Sequence, residues 1–205
     1  MARPRSPLLS VDAIVATALE LVDEEGDFSF PKVARRLGVS QSALYNHIDN
    51  REHIIELMRG KAFSRVIGVD LDNMPWEDAL RALVRNYRDC LLPHPRLVPM
   101  LITQTVQDPG VIAFYEDMAT VLGRAGVPNE EIVPAINTID YLALGSALEL
   151  TAPEVVWSLP PGRFPAFAQA VSNLGTPAER SEAAFAFGLD LLIAGVREKA
   201  LKKIS

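Results

Sequence analysis

The sequence predicts an all-α protein, and three observations carry that prediction. Apolar residues recur at spacings of three and four along almost the whole chain, helix start and stop signals bracket these runs, and no alternating stretch of useful strand length interrupts them.

The elements follow in order. Val11, Ile14, Val15, Ala18, Leu19 and Val22 form one apolar face, with Ser10 as N-cap and Gly26 as the stop. A short helix follows over Phe30 to Leu37, with Ser29 as its cap, Pro31 harmless in the first turn and Gly38 as a left-handed end. Ser40 caps a third helix, Gln41 to Ile48, and a fourth starts near Asn50 and runs to about Ile67. Trp76, Leu80, Leu83, Val84, Tyr87 and Leu91 keep one face through four turns until Pro93 and Pro95. Further helices are expected over Arg96 to Gln107, Gly110 to Arg124, about Glu130 to Leu150 and about Arg180 to Lys202. A proline-rich connector before the last holds one short helix around Ala166 to Leu174.

Composition narrows the function classes. The 205 residues are 49% hydrophobic and 22% charged, which is enough apolar surface to build a core and argues against a disordered chain. No apolar run approaches the ~20 residues of a membrane-spanning helix, and the N-terminal stretch lacks the pattern of a secretory signal, so a cytoplasmic protein without membrane contact is expected. The single Cys90 is expected to be a buried structural thiol, and His47, His53 and His94 have no metal-ligand spacing, so neither a metal nor a cofactor is expected. No catalytic constellation stands out either, because acidic pairs such as Glu130-Glu131 sit where helices begin. An enzyme is not expected.

The net charge of −6 conceals an asymmetry. Residues 1–65 hold nine basic and nine acidic side chains, whereas the other 140 hold eleven and seventeen, so the whole deficit lies in the later part. From Phe28 to Ile48 there are Lys32, Arg35 and Arg36 and no acid, a local basic island. In the same segment, two short helices joined by Leu37-Gly38-Val39-Ser40 have the arrangement of a helix-turn-helix. The second helix offers compact polar residues for a major groove, Gln41, Ser42, Tyr45 and Asn46, while Leu44 and Ile48 face inward. An ordinary helical hairpin has the same geometry, so this pattern alone leaves both readings open.

The run Gly38-Val39-Ser40-Gln41-Ser42-Ala43-Leu44-Tyr45-Asn46-His47-Ile48-Asp49-Asn50-Arg51 resembles the signature of the tetracycline-repressor (TetR) family of bacterial regulators. The likeness continues more weakly into Trp76-Glu77-Asp78-Ala79-Leu80 and Phe187-Gly188-Leu189-Asp190-Leu191-Leu192, stretches similar to the tetracycline-repressor branch itself. The resemblance implies a three-helix DNA-binding domain, residues 1–50, and a helical ligand-binding and dimerisation domain, residues 51–205.

Carried over position by position, it implies base-facing roles for Gln41, Ser42 and Ala43 and phosphate contacts for Tyr45, His47 and Arg51, with Lys32 as a further one; Ser40 and Asn46 belong to the same surface. The chemistry suits this, since hydroxyl, imidazole and guanidinium groups donate to phosphate oxygens and Gln pairs with adenine. His47 also fits a helix C-terminal cap. Arg3 and Arg5 fit a minor-groove arm or a plain solvated terminus. Two departures stand out: Pro31 occupies a position where family members often place a polar contact, and Ala43 has no hydrogen-bonding group.

For assembly, Phe185, Leu189, Leu192, Ile193 and Val196 form an apolar stripe, with Gly188 and Gly195 allowing close approach. Together with Ile136, Ile139, Ala143 and Ala147 they are expected to build a four-helix bundle across a two-fold axis, although the same faces also suit a protomer's own core. For the ligand, the positions at which the tetracycline repressor places a contacting histidine and asparagine fall on Ile67 and Leu83. Aliphatic side chains there do not hold a chelated drug. An apolar cavity lined by Ile67, Leu83, Tyr87, Met100, Leu101, Thr103 and Gln104 is expected instead, suited to a partly hydrophobic effector.

The reading as a whole is a repressor that binds a palindromic double-stranded DNA operator as a homodimer and is released by a small molecule. A helical small-molecule binder whose head does not read DNA, or a partner-gated activator, accommodates the same residues.

Overall fold

The computed structural model describes residues 9–64, 71 and 73–202, with the side chains of 200–202 left aside. The regular secondary structure of its described residues is all helical, without a strand. The chain divides into two compact units. The described residues of 9–64 and Arg96–Ile112 form the first, and those of 71–95 and 113–202 form the second.

In the first unit, α1 (Val11–Glu25) starts where the Ser10 side chain accepts the Ala13 amide and stops at Gly26, whose φ of 81° lets its amide reach Val22 O. α2 (Phe30–Leu37) packs on α1 and on α3 (Gln41–Leu44), and Val15, Val33, Leu44 and Ile48 are all buried. α4 (Arg51–Phe63) is capped by the Asn50 side chain, which accepts the His53 amide. A 3-10 turn, Pro95–Leu97, leads into the one-turn α6 (Val98–Leu101), which packs on α4. Arg96 fastens this segment to the end of α1 by donating to the carbonyls of Asp23 and Glu24, at 3.1 and 2.6 Å.

The second unit is built from α5 (Trp76–Leu91), α7 (Pro109–Arg124) from Ala113 onward, α8 (Asn129–Leu148), the short α9 (Pro165–Ala170) and α10 (Pro177–Lys202). Leu80, Leu83, Leu91, Met118, Ile139, Phe185 and Leu189 fill its interior. Cys90 is buried on α5. No helix among the described residues is long and apolar enough to cross a membrane.

Three elements differ from expectation. The third helix ends at Leu44 rather than Ile48, and residues 45–47 form a turn in which the His47 and Ile48 amides both reach Leu44 O. The helix expected over 96–107 shrinks to a 3-10 turn and one α-turn, because Pro95 and Pro99 remove amide donors and side chains from α4 capture the backbone beyond Leu101. Ser29 stands in the extended conformation of an N-cap, yet its side chain makes no capping hydrogen bond.

Candidate nucleic-acid interface and effector core

The turn that aims the third helix is made by Gly38, at φ 69°, where a side chain would be strained. Ser40 then caps α3 by accepting the Ala43 amide, and its hydroxyl lies 2.9 Å from that of Ser42. With Leu44 and Ile48 fully buried, Gln41, Ser42, Tyr45, Asn46 and His47 are left exposed, and Ala43 half-buried. Of the side chains expected to face DNA, these five stand exposed on one short helix and the turn after it. Tyr45, 52% exposed, lies flat against Phe30 at the start of α2, with ring centroids 4.8 Å apart and planes within 8°.

The basic island is paired internally. Lys32 bonds Glu25, and Arg36 donates to Glu24 at 2.8 Å, both acids lying at the end of α1. The Lys32 ammonium holds the Glu25 carboxyl below its ordinary value, first by hydrogen bond and then by charge. Arg51 is engaged as well. One guanidinium nitrogen donates to Phe28 O at 2.5 Å, another pairs with Asp27, and the group lies 4.2 Å from the centre of the Phe28 ring. Here Arg51 staples α4 to the turn between α1 and α2, so a phosphate would have to compete with a set of partners it already has.

On α4, Glu56 and Arg59 form an ion pair at 2.8 Å with little exposure. Arg59 donates to the carbonyls of Leu101 and Gln104, and Glu56 accepts the amides of Gln107 and Asp108 at 2.6 and 2.7 Å. Asp108 in turn caps α7 by accepting from Gly110 and Val111. Gly60 lies so close beneath it that a Cβ would stand 2.5 Å from an Asp108 oxygen. Burial disfavours the charge on Glu56, but the Gln107 amide, Arg59 and the Asp108 amide outweigh it and hold its carboxyl below the ordinary range. None of this lattice was read from the sequence; its only trace is a glutamate and an arginine three apart on one helix.

Of the side chains expected to line an effector cavity, Leu83 and Tyr87 are buried in the second unit. Met100, Leu101, Thr103 and Gln104 belong to the first, where Leu101 is buried and Thr103 exposed. Ile67, like Arg3 and Arg5, lies outside the described residues. Beside Tyr87 the second unit holds polar groups that the sequence reading missed. Tyr115 donates to the Asp140 carboxylate at 3.3 Å, and the Tyr87 hydroxyl bonds both. Burial first, then the Asp140 charge, pushes the Tyr87 phenol far above its ordinary value, so it acts as a neutral donor. Phe114 meets the Tyr87 ring edge-on at 5.4 Å. The available signal was Asp140, one acid amid the apolar run of α8.

Of the residues expected at a dimer interface, most are turned into the protomer's own core. Ile136, Ile139, Ala143, Ala147, Phe185, Leu189 and Val196 are buried within the protomer, at 0–9% exposure, and have almost no surface left for a partner. Leu192 and Gly188 are half-buried, Gly188 packing against Leu142, and Gly195 is exposed. The reason is that α8 and α10 each carry two apolar faces, and the regular stripe is the one their own core consumes. The other face leaves Val133, Tyr141, Leu148, Phe187 and Leu191 between 38% and 73% exposed. An open groove of about 560 Å³ on the same two helices is walled by Tyr141, Leu142, Trp157, Leu174 and Phe185. Beneath it, Arg88 of α5 donates to Ser146, Ser181 and Glu182 and lies 4.7 Å from the Phe185 ring centre, locking α5, α8 and α10 together.

Residues 70–200 match the family described as Tetracyclin repressor-like, C-terminal domain. An HTH-type transcriptional regulator of Saccharopolyspora erythraea is 29% identical over 154 residues, which are 74% of this chain and 63% of that protein. The chain thus spans under two thirds of that relative's length. The tetracycline repressor protein class E of Escherichia coli is 28% identical over 197 residues, covering 91% of this chain and 90% of the repressor. Among solved structures, the TetR family protein ActR of Streptomyces coelicolor in complex with (S)-DNPA superposes with a TM-score of 0.76 at 25% identity, covering 94% and 98% of the two chains.

Proposed function

Because this chain belongs to the tetracycline-repressor (TetR) family, we propose that it is a ligand-responsive transcriptional repressor that binds a palindromic operator as a homodimer and lets go when a small molecule enters its core. The observation that carries the reading is the surface of the head. Gln41, Ser42, Tyr45, Asn46 and His47 project from one short helix and its following turn, on a frame anchored by Leu44 and Ile48. Exposed amide and hydroxyl groups on so compact an element suit base edges, and Tyr45 and His47 suit phosphates.

Residues 1–50 read DNA in this proposal, and 51–205 bind the effector and the second subunit, in the cytoplasm where the DNA is. The effector is partly hydrophobic, since the interior of the second unit around Leu83 and Phe114 is apolar and its polar groups there are few, Tyr87, Tyr115 and Asp140 among them. Release requires that it bind the detached conformation better than the DNA-bound one. The second subunit covers Val133, Tyr141, Phe187 and Leu191, whose exposure on two adjacent helices is what supports the dimer. The protein has a regulatory rather than a catalytic role.

Fluorescence anisotropy with labelled duplexes taken from the DNA flanking its own gene tests this. Salt-dependent binding to one of them, competed poorly by unrelated duplex, is the expected result. Equal affinity for every duplex, or none, would return the chain to a ligand binder without an operator.

A further inference from the structure

We infer that Phe30 is the positioning residue for Tyr45, holding the tyrosine hydroxyl where it meets a DNA phosphate; this rests on the DNA-binding reading above. α3 ends at Leu44, and Tyr45 is its C-cap, with a side chain 52% exposed. An aromatic side chain so placed samples several rotamers in water, and a hydrogen bond made from such a population bears the cost of selecting one.

Phe30 removes that freedom. Its ring lies parallel to that of Tyr45 at 4.8 Å, an offset stack between two different helical elements. The backbone that carries Phe30 is constrained by its neighbours. Ser29 precedes it in extended conformation, Pro31 follows with its fixed backbone angle, and Phe28 beside them is buried at 2% under the Arg51 guanidinium. The start of α2 thus carries no polar side chain at Phe30 or Pro31 and supplies an aromatic platform instead. A stacking partner that already restricts the tyrosine lowers the side-chain entropy still to be lost on binding, which is a contribution Phe30 makes without touching DNA.

The test uses the full chain and a duplex pool selected by the wild-type protein from a random library. Tyr45→Phe should weaken binding about five-fold, the worth of one hydrogen bond. Phe30→Ala should weaken it about three-fold in the wild-type background and leave affinity almost unchanged in the Tyr45→Phe background, because the group it positions is already gone. Phe30→Tyr, which keeps the stack, should restore wild-type affinity. Phe30→Leu, which keeps bulk without an aromatic face, stands in for Phe30→Ala if the latter lowers the melting temperature. Equal losses in both backgrounds, or full affinity in Phe30→Leu, would overturn the role of Phe30 while leaving DNA binding intact. A wild-type protein that enriches no duplex would instead remove the reading on which the role rests.

Discussion

Glu56 and Arg59, one turn apart on α4 and 2.8 Å from each other, hold opposite ends of the same loop: Arg59 takes the carbonyls of Leu101 and Gln104, and Glu56 the amides of Gln107 and Asp108. The pair does for residues 101–108 what a helix would otherwise do, satisfying backbone groups that the loop leaves unpaired. It also ties that loop to the helix that follows the three N-terminal ones, so a shift of either is felt by the other.

Removing one partner therefore costs more than one surface ion pair. Glu56→Ala leaves two amides without their acceptor and a nearly buried guanidinium without its counter-charge, and a loss of about 3 kcal/mol is expected in urea denaturation. The pH dependence has a defined sign. Since the folded carboxyl is held below its unfolded value of about 4.3, its contribution is complete above that value and disappears as pH falls through the lower folded one. Glu56→Gln should flatten this acid limb, measured as melting temperature against pH.

The salt bridges of the head make a prediction about affinity. Lys32 and Arg36 are held by Glu25 and Glu24, so both cations are partly neutralised before DNA arrives. Glu24→Gln with Glu25→Gln should tighten duplex binding at low salt. The double variant should also steepen the slope of log K against log salt by about one per cation that now reaches a phosphate. An unchanged slope would place both cations away from the backbone.

Arg88 is a buried cation of the second unit, and its hydrogen bonds reach α8 and α10. Arg88→Ala takes a donor from the Ser146 and Ser181 hydroxyls and from Glu182 and opens a void under Phe185, with an expected loss of about 3 kcal/mol. Arg88→Met with Ser146→Ala and Ser181→Ala should recover much of it, as judged by chemical denaturation.

The two faces of α10 should respond oppositely. Phe187→Arg with Leu191→Arg charges side chains that are 68% and 57% exposed, and light scattering should report folded monomers with an unchanged melting profile at low concentration. Leu189→Ala, on the buried face, should instead cost about 3 kcal/mol of protomer stability.

Local signals were enough to read much of this protein from its residues in order. Ser10, Gly26, Gly38 and Ser40 act on the nearest turn, so the caps they make were legible, and so were the alternation of the inward Leu44 and Ile48 with the exposed Gln41 and Tyr45. Periodicity likewise told that α8 and α10 have apolar stripes. It did not tell which of two stripes a protomer keeps for itself, because a residue's burial depends on what lies opposite it in space. Only the packed fold assigned Leu189 to the core and Phe187 to the surface. The same holds for charge: Lys32, Arg36 and Arg51 read as free cations along the chain, while Glu25, Glu24 and Asp27 reach them only once α1, α2 and α4 have come together. Pairings between elements carry no period, and so they were settled by tertiary structure alone.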